Sequence, residues 1–153
     1  MRYLKAILLA PVICSMFCIF SNDALAQKKK KEKPRKDATL ENTYWALYEM
    51  DGKTVETPAN EREIYIKLVE KKSQLEGYGG CNIITGSYDL GKDYLIFEAA
   101  ATLRACDDMT KENYVFNALN NTNRHELNGQ HLLLFNGTYL LAIFEARYYD
   151  DEK

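Results

Sequence analysis

Period-two alternation of apolar residues, broken at short intervals by tight-turn dipeptides, limits this chain to a small, mostly antiparallel β domain. Ile64, Ile66 and Leu68 alternate with Glu63, Tyr65 and Lys67, which puts one side of that segment in the core and the other in water. Two Asn-Gly pairs, at 128–129 and 136–137, punctuate candidate strands over 124–127, 131–135 and 138–148. Asn-Gly is a strong hairpin signal because both residues tolerate positive φ, so the last third reads as an antiparallel meander. Upstream, the aromatic run Thr43-Tyr44-Trp45-Ala46-Leu47-Tyr48 ends at the turn pair Asp51-Gly52. Further strands are expected over 74–78, 83–88 and 94–97, the last two separated by Gly91-Lys92-Asp93. The 11 Tyr and 6 Phe suit sheet better than helix. One helix interrupts the pattern over 110–121, with Val115, Ala118 and Leu119 on one face and Asp107, Asp108 and Thr110 offering caps and negative charge at its start.

The front of the chain reads as an export signal. Arg2 and Lys5 precede an apolar stretch from Ala6 to Phe20, and Ala24-Leu25-Ala26 provides small residues for signal peptidase. Cleavage is expected after Ala26, giving a periplasmic or extracellular protein that begins at Gln27. A membrane anchor would need about 20 apolar residues, and this run is shorter and contains Pro11. A lipoprotein would use Cys14 or Cys18, but Pro11-Val12-Ile13 and Ser15-Met16-Phe17 before them do not offer a Leu-like residue followed by two small ones. Segment 28–36, from Lys28 to Lys36, carries seven Lys or Arg and nothing apolar, so it is expected to be a disordered tether. It reads as a solvated spacer, with weak contact to an anionic membrane surface as the functional alternative. The expected organisation is signal peptide 1–26, basic tether 27–37, one folded domain 38–148 and an acidic tail 149–153.

From Asp37 onward the chain holds 11 Lys and Arg against 20 Asp and Glu, a net −9. That acidity argues against nucleic acid as a partner, because phosphate binding needs clustered Lys and Arg. Removing the signal leaves Cys81 and Cys106, and an even pair in a small exported domain usually bridges. The alternatives are two free thiols, a metal site using Cys81, Cys106, His125 and His131, or a Cys-His nucleophile. The metal spacing lacks a short Cys-x-x-Cys or His-x-x-x-His pair, and nothing in the sequence lowers a thiol pKa. Gly77-Tyr78-Gly79-Gly80 is not followed by the Lys and Ser or Thr of a phosphate loop, so its glycines are expected to permit a bulge or close backbone approach. Asn120 and Asn136 each fit the glycosylation pattern. Asp107, Asp108 and Glu112 are read as helix-end acidity rather than a glycosidase pair.

Several motifs in order resemble the META domain family, the small extracytoplasmic domains of HslJ-like heat-shock-associated proteins. They are Asn42-Thr43-x-Trp45-x-Leu47, Gly77-x-x-Gly80-Cys81-Asn82, Gly86-x-Tyr88, Leu95-x-Phe97 and Thr102-x-x-Ala105-Cys106. Met109, Glu112 and Leu119 on the helix and Leu132-x-Leu134 complete the set. The resemblance implies an α+β fold: a partly closed, barrel-like antiparallel sheet of about seven to eight strands carrying one helix. It implies no enzyme and no cofactor, and an association with envelope stress, drug tolerance or secretion. The function expected is a non-enzymatic binding or structural module of the cell envelope, monomeric, with an unidentified envelope protein or small ligand as partner. A carrier of small apolar ligands in the sheet's mouth is the alternative, and a thiol-dependent enzyme ranks behind both. Gly80, Asn82, Thr102 and Arg104 are the candidate recognition rim, brought together if the cysteines bridge.

Overall fold

A computed structural model describes residues 37–149. The expected signal peptide, the tether up to residue 36 and the tail from residue 150 lie outside the described residues. The elements in chain order are β1 (Tyr44–Met50), β2 (Lys53–Thr54), β3 (Tyr65–Val69), β4 (Gln74–Tyr78), β5 (Ile83–Leu90) and β6 (Leu95–Ala101). Then come α1 (Thr110–Asn121), β7 (Arg124–Asn128), β8 (His131–Asn136) and β9 (Tyr139–Arg147). All strands join one antiparallel sheet in the order β6-β5-β4-β3-β1-β9-β8-β7, with β2 paired only to β1. Every neighbour along this path is also a sequence neighbour except at β1, which lies between β3 and β9 and joins the two meanders.

The sheet curls into a half-barrel, as the family resemblance implies. Register shifts between Leu47 and Glu49 on β1 and between Leu134 and Phe135 on β8 are bulges, which sharpen local twist and bend a strand. Helix α1 crosses the open side, packing on β6, β8 and β9. Where the two edges of the sheet approach, Leu95 N donates to Asn123 O at 3.3 Å.

The alternation read from the sequence is the alternation of burial. Trp45, Ile66, Leu68, Leu75, Ile84, Leu95, Leu132, Leu134 and Phe144 are all buried on the inner face, against Val115 and Leu119 of α1. Burying side chains of this size contributes about 1.5–3 kcal/mol each. The buried Trp45 indole donates Nε1–H to Leu40 O at 2.8 Å, satisfying its one polar group. These side chains fill the concave side, so the half-barrel is a packed core at this face rather than a chamber.

Local turn chemistry shifts several expected boundaries. The loops of the two C-terminal hairpins are Gly129-Gln130 and Gly137-Thr138, because Asn128 pairs with His131 and Asn136 with Tyr139. Only the glycines have positive φ, +60° and +57°, the placement of a II′ turn. Each Asn is thus the last residue of its strand instead of the first residue of the turn. Asp51-Gly52 does take positive φ at both residues, 51° and 74°, as a I′ turn requires. It returns the chain as β2, which has two residues and no alternation to reveal it. β6 begins at Leu95 and runs four residues past the expected end at 97, because Glu98, Ala99, Ala100 and Ala101 continue the ladder with β5.

Candidate functional site

The densest polar cluster lies where β4 passes into β5 beside the segment that precedes α1. Cys81 and Cys106 form a disulfide with Cα atoms 6.2 Å apart, closing a separation of 25 residues. Immediately after Cys81, Asn82 turns its amide inward and is only 2% exposed. Its Nδ2 donates to Arg104 O at 3.0 Å and to Glu112 Oε1 at 2.8 Å. Its Oδ1 accepts from Arg104 N and Thr102 Oγ1, both at 2.7 Å. An Asn amide offers two donor hydrogens and two acceptor lone pairs, and all four are used. Because Asn82 holds both N and O of Arg104, it pins the segment as a neighbouring strand would.

Glu112, in the first turn of α1, anchors the cluster from below. Its Oε2 accepts from Asn82 N at 2.6 Å and Cys81 N at 3.1 Å, and the residue is 5% exposed. A buried carboxylate is tolerated when several donors replace its water. This contact explains the glycines before it. A Cβ on Gly79 would stand 2.8 Å from Glu112 Cγ, so the run permits close approach, as expected, and gives the carboxylate access to the turn. The capping expected of Asp107, Asp108 and Thr110 narrows to Asp108, whose Oδ1 accepts from Thr110 N at 2.8 Å. That bond holds its carboxyl below the usual aspartate range. Met109 is the N-cap residue and makes no side-chain cap bond.

The four rim residues divide accordingly. Gly80, Thr102 and Arg104 are exposed, whereas Asn82 supports them from inside. Between them Leu103 is fully exposed, and sequence reasoning missed it because a Leu on a loop carries no periodic signal. Beside the rim a hollow of about 420 Å³ is lined by Arg62, Tyr78, Cys81, Ile83, Thr102 and Arg104. Arg62 lies over the rings of Tyr78 and Tyr65, at 4.6 and 5.3 Å from their centroids, and donates Nη2–H to Tyr65 Oη at 2.9 Å. Tyr65 pairs with Tyr78, and Tyr78 with Ile83, so these side chains share the outer face. The outward position of Tyr65 is legible in the alternation; the meeting of these side chains with the rim is not.

The other sets named from the sequence remain apart or are otherwise engaged. The cysteines are joined to each other, and among the described residues no three His, Cys, Asp or Glu side chains could hold one metal ion. His131 packs edge-on to Tyr48 at 4.9 Å. His125 Nδ1 is buried without a hydrogen-bond partner among the described residues, and burial, then Arg124, keeps that imidazole below its ordinary pKa. Glu112 faces Cys81 and Asn82, while Asp108 turns to Thr110. Asn136 Oδ1 accepts from Asn123 Nδ2 at 3.0 Å, and Asn120 is exposed on α1.

Comparison with solved structures bears on the fold. An NMR structure of a protein from Burkholderia xenovorans is 22% identical, with 77% of this chain and 99% of that one covered and a TM-score of 0.57. A second NMR structure is 20% identical, covering 69% and 90% of the two chains at a TM-score of 0.55. No curated protein matches the sequence. The match that carries identity is to the META domain, which covers residues 38–148 and with them the sheet, the helix and every rim residue. The chain therefore belongs to the META domain family.

Proposed function

We propose that this META-domain protein is exported and works in the cell envelope as a non-enzymatic, stress-related binding module that recognises its partner through the rim. The observation that carries this reading is the construction of the rim: an exposed Thr102-Leu103-Arg104 segment held by a disulfide, a fully bonded buried Asn82 and a buried Glu112. Displaying polar and apolar side chains on a fixed support lowers the ordering cost of binding. The buried acidic group beneath the rim, Glu112, is spent on amide donors, which favours a structural rather than a chemical role for it. The apolar-ligand carrier draws less support, because the inner face is filled with side chains.

The test is complementation. In a host lacking the gene, the wild-type chain should be recovered starting at Gln27 and restore tolerance to heat or envelope-active drugs. A Leu103→Asp, Arg104→Glu variant with an unchanged unfolding midpoint should be exported equally and fail to restore it. Full tolerance with that variant, or a mature chain retaining residues 1–26, would overturn the reading.

A further inference from the structure

Four arginines lie among the described residues, and they fall into two pairs. Arg124 meets Glu126, and Arg147 meets Glu63 and Glu145. Arg62 and Arg104 have no carboxylate within salt-bridge distance among the described residues, and both line the hollow beside the disulfide. The segment from Asp37 onward has a net charge of −9, so acidic side chains are abundant, yet none among the described residues forms an ion pair with these two. Two like charges around one hollow disfavour each other unless water or an anion lies between them.

Arg62 is positioned at its guanidinium and Arg104 at its main chain. Arg62 lies over the rings of Tyr78 and Tyr65 and spends one hydrogen bond on Tyr65, leaving most of its five N–H donors. Arg104 is fixed at its main chain by Asn82. The remaining wall is Tyr78, the Cys81 end of the disulfide and Ile83, which is 44% exposed, with Thr102, whose hydroxyl is already engaged by Asn82 Oδ1 and Ile83 N. A site of a few convergent polar groups on an apolar wall suits a small amphipathic ligand.

We propose that this hollow binds an organic carboxylate with an apolar or aromatic body, the anion on Arg62 and Arg104 and the body against Tyr78, Ile83 and the disulfide. The proposal rests on the reading of the rim as a binding face and names its ligand class. A guanidinium fork matches carboxylate and phosphate alike. The apolar wall favours the carboxylate with a body, and the surrounding negative charge disfavours polyanions. Such a carboxylate can end a polypeptide or belong to a free acid.

The experiment is an amide-shift titration of the mature, oxidised protein with N-acetylphenylalanine, 3-phenylpropionate, N-acetylphenylalaninamide and inorganic phosphate. Both carboxylates should move the amides of residues 78, 81–83 and 102–104. The neutral amide and phosphate should bind at least about ten-fold more weakly, as should both carboxylates to an Arg62→Gln, Arg104→Gln variant with an unchanged unfolding midpoint. Tighter binding of N-acetylphenylalanine assigns a polypeptide terminus, and tighter binding of 3-phenylpropionate a free acid; both support the proposal. No shift from either carboxylate at about 10 mM, above the millimolar affinity expected of ligands this small, would overturn it. So would equal binding of the neutral amide or phosphate, or binding unchanged in the variant. Silent probes together with a rim variant that fails complementation would sink this ligand class and leave the binding-face reading standing.

Discussion

The β7–β9 meander and the disulfide rim hold themselves together by opposite means. In the meander, neighbours in sequence are neighbours in space: Asn128 meets His131 and Asn136 meets Tyr139 across two-residue loops. Its stabilisation is aliphatic and aromatic, with Leu132, Leu134, Ala142 and Phe144 buried. At the rim, the bonds of Asn82 and Glu112 join residues 20 to 31 positions apart, and the stabilising groups are amides, a carboxylate and a disulfide. Closing longer loops costs more chain entropy, so the rim must be fixed by stronger or covalent links. The meander supplies fold stability, and the rim supplies a fixed surface.

The sharpest way to break this contrast is to open a hole in the meander. Phe144→Ala should cost about 4 kcal/mol, the usual loss for a buried Phe, read as a lower denaturant midpoint with both regions unfolding together. Loss confined to the meander would show that the core is not shared. Next in size, Cys81→Ser with Cys106→Ser should cost about 3 kcal/mol by the loop-entropy argument for a 25-residue link. Native-state hydrogen exchange should then show residues 79–82 and 102–106 opening while β8 stays protected. Equal loosening of both regions would dissolve the distinction.

Asn82→Ala should cost about 2 kcal/mol, because it strands the Arg104 main chain and one side of Glu112 at a buried site. Asn82→Asp, which keeps the acceptor but faces its charge to Glu112, should be no better, and full stability of either variant would remove Asn82 from the support. Gly129→Ala asks less of the meander. Its φ of +60° disfavours a Cβ, yet nothing lies within 4 Å, so a cost of about 1 kcal/mol is expected from backbone strain alone.

The smallest effect is in pH. The folded chain depresses His125, by burial first and then Arg124, so the unfolded chain takes up that proton more readily. Its contribution is full above the ordinary imidazole pKa, about 6.5, and is lost as pH falls through that value toward the folded one. Asp108 is also depressed, by its bond from Thr110 N. It contributes above the ordinary aspartate pKa, about 3.9, and only below that is its share lost. Mild acid should therefore soften the meander before the helix start, and His125→Gln should flatten the midpoint between about pH 7 and 5. An unchanged slope in that variant would take His125 out of the account.

Much of the sheet was readable because period-two alternation is a local property: 74–78 was placed to the residue as β4, and α1 to both ends. β2 and the far half of β6 were not, since two exposed residues have no pattern and Glu98-Ala99-Ala100-Ala101 has weak β preference. The rim was half legible. Cys81 and Cys106 stood out by their even number beyond the expected export signal, but Asn82 as a buried hub and Glu112 as an amide acceptor did not. Asn and Glu are ordinarily surface residues, and only a partner far along the chain makes burial tolerable.

By itself, then, the sequence determined most of the elements, the inward face of β3 and of α1, the two cysteines left to pair and the family to which the motifs' order points. Those follow from periodicity, turn chemistry and spacing, which act over a few residues. Only the tertiary structure decided that β1 would join two meanders, that Asn82 would turn inward, and that Arg62 and Arg104 would line one hollow. These depend on contacts between distant segments, whose entropy of closure is met only when the whole core packs.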